Sequence, residues 1–219
     1  MSEDPYLDPK TGVLKNKFGI TDAKRLDYIE REWVVQRIAE GCPTGKFDLA
    51  HLQAIHRHLF QDVYSWAGEI RTVELAKNGD QFIPRSRIVM GMADVHNRLA
   101  KDKFLTGLKP PAFAEKAAEI IGDVNHVHPF REGNGRTQLH YLQQLARHAG
   151  HDVDITQFKD GWIAASRASH QGNYGPMAQE IGNAMTAQGD WSKELDGEIR
   201  RLQRNILRAL GKDDPERDR

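Results

Sequence analysis

Apolar residues in this chain recur every three or four positions, and strict alternation of polar and apolar residues is scarce. That period lays one hydrophobic stripe along a helix, so the chain is expected to bury helices against helices. Thr21 and Asp22 are N-cap candidates for a helix carrying Leu26, Ile29, Trp33 and Val34 on one face and ending at Gly41. Asp48 caps a second helix, with Leu52, Ile55 and Leu59 as its stripe. Further helices are expected over about 86–101, then after Pro110-Pro111 with Phe113, Ala117, Ile120 and Val124 inward. That one must stop near His128, because Pro129 disfavours the α conformation in the residue before it. Another begins near Asn134, buries Leu142, Leu145 and Ala146, and closes at Gly150. The remainder reads as a short helix over 158–168, a turn at Gly172-Asn173, and a helix from about Pro176. A last helix carries Leu195, Ile199, Leu202, Ile206 and Ala209 and stops at Gly211. The stretch 70–83 is the one strand candidate. Its Lys77-Asn78-Gly79-Asp80 core is a hairpin turn signal, since Asn-Gly readily takes positive φ. The expected fold class is therefore all-α: a helical bundle with one small β-hairpin.

The chain has 219 residues, room for one domain and an appendage. Three regions are expected: an N-terminal arm and helix over 1–47, a core over 48–185, and an amphipathic helix with a charged tail over 186–219. Lys and Arg number 31, as do Asp and Glu, so the net charge is zero, which argues against direct binding to nucleic acid. The single cysteine, Cys42, excludes a disulfide framework and a Cys-based zinc site within one chain. No apolar run approaches the roughly 20 residues that span a bilayer, and the polar start MSEDPYLDPK lacks signal-peptide features. A cytoplasmic location is expected.

The densest cluster of polar and special residues is His128-Pro129-Phe130-Arg131-Glu132-Gly133-Asn134-Gly135-Arg136, between two helices. Singly, each residue has an ordinary reading: a structural histidine, a turn, a solvated arginine. Together they suggest phosphate chemistry. A Gly-Asn-Gly run that opens a helix presents unpaired backbone N–H groups, and the helix dipole adds to their pull on an anion. A bound polyphosphate explains a positive charge at Arg136, which otherwise opposes the dipole. Glu132 can ligate Mg²⁺ held by phosphate oxygens, and His128 is near enough to serve as a base. Neither a P-loop nor a Gly-x-Gly-x-x-Gly fingerprint is present. His126 with His128, or His51, His56 and His58, offers imidazoles for a metal, but without regular ligand spacing.

The run HPFREGNGR resembles the signature of Fic-domain proteins, usually written His-x-Phe-x-Asp/Glu-Gly-Asn-Gly-Arg-x-x-Arg. DVYSWAGEIR resembles the segment leading into the Fic flap hairpin, KNGDQFIP the flap itself, and GNYGPMAQEI the end of the Fic core, so the likeness covers about 48–181. YLDPKTGVLKNKFGITD further resembles the opening segment of bacterial Fic toxins of toxin–antitoxin pairs and of related secreted effectors. The resemblance implies an all-α Fic fold and a protein adenylyltransferase that moves AMP from ATP to a Ser, Thr or Tyr hydroxyl of a target protein. It implies His128 as general base, Glu132 as the Mg²⁺ ligand, and Gly133, Asn134 and Gly135 as the anion hole. Arg136 would grip the phosphate chain, with Arg131 and Thr137 in the same nucleotide-binding set. Lys77, Asn78, Gly79 and Phe82 of the hairpin would clamp the target and cover the nucleotide. Trp162 and His170 would lie near adenine. The implied partners are a target protein at the hairpin, with type II topoisomerase subunits among the suggested targets, and a small antitoxin supplying an inhibitory helix. No membrane is implied.

One position departs from the signature. Its second arginine falls at Leu139, and His140 is one residue on, about 100° round the helix. That arginine supports the terminal phosphate and receives an inhibitory glutamate in the family, and Leu139 can do neither by charge. A transferase of another group, such as UMP or another phosphate-linked moiety, and an attenuated nucleotide-binding pseudo-enzyme therefore remain as alternatives. Ser192-x-x-x-Asp196-Gly197 approximates the inhibitory helix pattern, with Asp for Glu; an antitoxin in trans is the preferred expectation.

Overall fold

The structure, a computed structural model, describes residues 4–77, 79–158 and 160–185. The expected C-terminal helix from Leu195 to Ala209, the Ser192-Asp196-Gly197 pattern and Asn78 lie outside the described residues. Seven α-helices, three short 3-10 helices and one two-stranded sheet are the regular elements among those described, the all-α class with a hairpin that the periodicity predicts. The described residues form two compact units, 4–43 with 57–68, and 44–56 with 69–185. No helix among them is long and apolar enough to cross a membrane.

In the first unit, α1 (Ala23–Glu40) starts where the Asp22 carboxylate accepts the Arg25 N–H at 2.7 Å and ends at Gly41, whose φ of 86° a side chain would resist. Leu26, Ile29 and Val34 are buried, while Trp33 is only half-buried and stacks on Phe18. An aromatic cluster holds this unit together. Trp66 takes Tyr6 edge-on at 5.3 Å and Tyr64 face-on at 4.4 Å, and the Tyr64 hydroxyl donates to the buried Glu30 carboxylate. Arg37 adds a two-pronged ion pair to Asp62 at 2.6 and 2.8 Å.

The second unit opens with most of α2 (Leu49–Phe60), which Asp48 caps by accepting the His51 N–H at 2.8 Å. Strands β1 (Ala76–Lys77) and β2 (Asp80–Gln81) pair antiparallel, Ala76 opposite Gln81 and Lys77 opposite Asp80. Then come α3 (Ile88–Lys101), α4 (Pro110–Val127), α5 (Asn134–His148), α6 (Asp160–His170) and α7 (Gly175–Ala184). Helix α4 is the axis of the unit, and α3, α5, α6 and α7 all pack on it. Its inward residues Phe113, Ala117, Ile121 and Val124 are fully buried. Its Pro110-Pro111 start and its stop before Pro129 follow from proline's fixed φ and missing N–H.

The hairpin is shorter than the sequence suggests. Strand structure was expected over 70–83 and occupies only Ala76–Lys77 and Asp80–Gln81. The lead-in is used otherwise: the Arg71 N–H donates to the Pro129 carbonyl at 2.8 Å, and the Arg71 guanidinium donates to the Val73 carbonyl at 2.7 Å. The exit is taken by Ile83, whose N–H donates to the His126 carbonyl at 3.1 Å. Backbone groups spent on the α4 terminus cannot extend a ladder.

Candidate active site

His128 ends α4 in a left-handed conformation, φ 46° and ψ 62°. Its N–H closes the helix on the Val124 carbonyl at 3.0 Å, so the side chain is turned out of the helical path. The Nδ1–H donates to the Asn125 carbonyl at 3.2 Å. A carbonyl can only accept, which fixes the tautomer and leaves the Nε2 lone pair as the basic site. The ring stacks on Phe82 at 3.6 Å between centroids and 15° between planes. Burial under Phe82, and after it the charges of Arg71 and Lys77, push the imidazole down to about 3, so it is neutral near pH 7.

The loop from Pro129 to Gly133 is braced from inside. Asn134 is buried, its Oδ1 accepts the Phe130 N–H at 3.0 Å, and its Nδ2 donates to the Phe130 carbonyl at 2.8 Å. Its side chain thus serves the loop, and any part it takes in holding an anion falls to its backbone N–H. Thr137 is likewise buried, with its hydroxyl donating to the Gly133 carbonyl at 2.9 Å. That gives Thr137 a role inside the helix start rather than on the open face. Gly133 needs its glycine because φ is 79° there. Gly135 differs: a Cβ at that exposed position would meet nothing within 4 Å, so packing does not demand glycine there.

Glu132 and Arg136 stand at the loop's rim, half to partly exposed, with Nη2 of Arg136 3.6 Å from Oε1 of Glu132. The same Oε1 accepts the Gly133 N–H at 2.9 Å. Arg131 is half-buried on the same loop. Along α5 the residues Thr137, Gln138, His140 and Tyr141 are buried. Gly135, Arg136 and Leu139 remain on the outward face. Leu139 therefore sits one turn beyond Arg136 on the loop's own side, and the buried His140 cannot replace a missing arginine there.

On the hairpin, Lys77 and Gly79 are exposed, Gly79 at φ 92°, while Phe82 is buried over His128. His170, at the end of α6, has its ring 5.0 Å from Phe82, whose ring also stacks on His128. Trp162 is not there. It is buried against Phe158 at 4.3 Å, eight residues and about 12 Å back along α6. The two residues expected to share an adenine site thus face different surroundings, because an eight-residue step along a helix also rotates the side chain by about 80°.

Two residues that support the site escaped the sequence reading. Arg71 is 2% exposed and its guanidinium donates to the carbonyls of His128 at 2.8 Å, Val73 at 2.7 Å and Ile83 at 2.5 Å. It ties both legs of the hairpin to the turn that presents His128. Its only sequence signal is an arginine inside the short run GEIR. His56 is fully buried in α2, stacks on Phe130 at 3.9 Å, and donates through Nε2 to the Glu132 carbonyl at 3.0 Å. Burial pushes His56 down to about 4, against a weaker opposing pull from the Glu132 carbonyl.

Both imidazoles have lowered pKa values in the native state, so acid costs stability. Above about 6.5 both states carry neutral rings. As pH falls from about 6.5 towards 4, the unfolded chain takes up the protons and the native chain does not, and stability is lost through that window. Urea unfolding from pH 7 to 4 should show it, and His56→Gln should lower the slope by about one proton per molecule. An unchanged slope would contradict the buried neutral state of His56.

A neutral imidazole beside a glycine-opened helix N-terminus, with a carboxylate and an arginine at its rim, has the parts to hold a phosphate chain next to a base. Residues 46–146 match the Fic/DOC family. Protein adenylyltransferase VbhT of Bartonella schoenbuchensis is 39% identical over 189 residues, 84% of this chain and 40% of that protein. Probable protein adenylyltransferase y4lH of Sinorhizobium fredii is 38% identical over 82% of this chain and 94% of its own length. This chain thus spans two fifths of the first relative and nearly all of the second. Among solved structures, BepC of Bartonella tribocorum with bound AMPPNP superposes with a TM-score of 0.75 at 29% identity, over 84% of this chain and 97% of that one. The chain belongs to the Fic/DOC family, and its curated relatives are named for a nucleotidyltransferase activity.

Proposed function

We propose that this protein is a protein adenylyltransferase that transfers AMP from ATP to a Ser, Thr or Tyr hydroxyl of another protein. The observation that carries the reading is the neutral His128, its Nε2 left basic, on the turn that leads into the helix that Gly133 opens. The names of the relatives support it, as do the AMPPNP in the BepC structure and the ADP in a Bartonella quintana Fic domain of 29% identity.

The chain's residues divide the work. The target hydroxyl gives its proton to His128 Nε2 as its oxygen bonds to the α-phosphorus. The bond from that phosphorus to the β-phosphate bridging oxygen breaks, and pyrophosphate leaves. The N–H groups that open α5 have no acceptor within the helix and can take the phosphate oxygens. Arg136 adds charge, and Asn134 holds the loop in shape. Such transfers depend mainly on alignment and charge neutralisation, which this arrangement provides without a covalent intermediate. The partly exposed Glu132 carboxylate suits Mg²⁺, which keeps several waters and takes one or two protein carboxylates; the ion would neutralise phosphate charge.

The target is proposed to lie along the hairpin, where Ala76, Lys77, Asp80 and Gln81 are all exposed and offer an edge for strand addition. Restraint by a small antitoxin's helix follows from the family resemblance alone. Leu139 favours a second reading, in which the group transferred is another phosphate-linked moiety or transfer is weak. It places an apolar side chain one turn from Arg136, where a terminal phosphate would need a cation.

The test uses ATP labelled on the α- or the γ-phosphate with bacterial lysate and Mg²⁺. Label from the α-phosphate alone, on a discrete band, is the expected result. A γ-label means phosphate transfer and overturns the reading. Leu139→Arg separates the alternatives. A rise of about tenfold or more marks the native chain as attenuated. No α-label from either chain, with UTP and CTP labelling the band instead, moves the chain to another transferred group.

A further inference from the structure

His126 and His170 bring their Nδ1 atoms to 3.4 Å from each other. They come from the last turn of α4 and the last residue of α6, 44 residues apart in sequence. The separation is long for a nitrogen–nitrogen hydrogen bond. It does match another geometry: two imidazole nitrogens at about 2.0–2.1 Å from a tetrahedral ion lie about 3.3–3.4 Å apart. The rings meet edge to face, at 74° with centroids 5.2 Å apart. His126 is exposed and His170 half-buried, so an ion can reach them from solvent.

We propose that His126 and His170 form a binding site for a zinc-class divalent ion, with water completing the shell. The His126 carbonyl accepts the Ile83 N–H at 3.1 Å, and the His170 ring abuts Phe82. The Asp80 carboxylate acts on His170 across the hairpin and adds negative charge. No group of three or more His, Cys, Asp or Glu ligands occurs among the described residues, so the protein supplies two ligands here. Imidazole pairs select zinc, copper or nickel over magnesium, which sets this site apart from the Glu132 rim. Because His170 touches Phe82, and Phe82 covers His128, an ion held here fixes the cover on the base.

The test is titration of the full chain with zinc chloride, without nucleotide or magnesium, by calorimetry and thermal denaturation. One equivalent should bind. At zinc a hundredfold above Kd the unfolding midpoint should rise by about 5 °C or more, and magnesium should not reproduce the rise. His126→Gln should abolish both effects. A second reading of the unmutated chain guards against a variant that fails to fold: in the imidazole ¹⁵N spectrum, the signals of His126 and His170 should move on zinc addition, and those of His51, His56 and His58 should not. Equal zinc binding by His126→Gln, no binding at all, or movement of other histidines only would overturn the proposal.

Discussion

His128→Ala is expected to remove label transfer by about 10²–10⁴-fold or more while leaving nucleotide binding within about twofold. The two effects separate because different parts of the structure carry them. The turn proposed to bind the anion is held by Asn134 on Phe130 and by Thr137 on Gly133, neither of which uses the His128 ring. The proton transfer has no other candidate on that turn: Glu132 is engaged with the Gly133 N–H and stands near Arg136. Since the base is already neutral with its tautomer set, transfer should not fall between pH 8 and 6 through His128, and a decline there has to come from another group. Filter binding of labelled nucleotide beside the transfer assay gives both numbers. Loss of nucleotide binding equal to the loss of transfer would make His128 a binding residue instead.

Arg71→Met is expected to cost about 3–5 kcal/mol, the largest stability effect of any change at this site. Methionine keeps much of the length and loses every hydrogen bond. The part-buried carbonyls of His128, Val73 and Ile83, and the Val127 carbonyl at 3.5 Å, are then left without that donor. Arg71→Lys should rescue little, because one ammonium cannot reach carbonyls on both hairpin legs and on the turn as the planar fork does. Its anionic neighbour Glu74, at 3.6 Å, is well exposed, so that ion pair contributes less than the carbonyl contacts. The local consequence distinguishes this from plain destabilisation. The Phe82 and Ile83 amides, which donate to Leu75 and His126, should exchange with solvent faster than the amides of α4. Uniform acceleration throughout the unit would reduce Arg71 to a general core residue.

The helices and the reactive turn were legible because their signals are short-range. Asp22 and Asp48 cap as expected, since a capping carboxylate needs only an N–H three residues on. HPFREGNGR was legible because its base, carboxylate, glycines and arginine are contiguous. The length of the hairpin was not, since the backbone groups of Arg71 and Ile83 turn to partners at Pro129 and His126, more than 40 residues away. Trp162 and His170 were expected near adenine from the family resemblance alone; they lie eight residues apart on α6, whose rise and rotation separate them.

The sequence by itself therefore determined the helical class, the place of the turn and the missing arginine at position 139. Only tertiary structure decided which side chains serve that turn. His56 beneath Glu132, Arg71 beneath His128, Phe82 over the base, and His126 against His170 each join segments 44 to 76 residues apart or across the hairpin. Period and capping depend on neighbours three or four positions away. Burial of a charged or imidazole group depends on which distant backbone carbonyls the packing of α4 leaves in need of a donor.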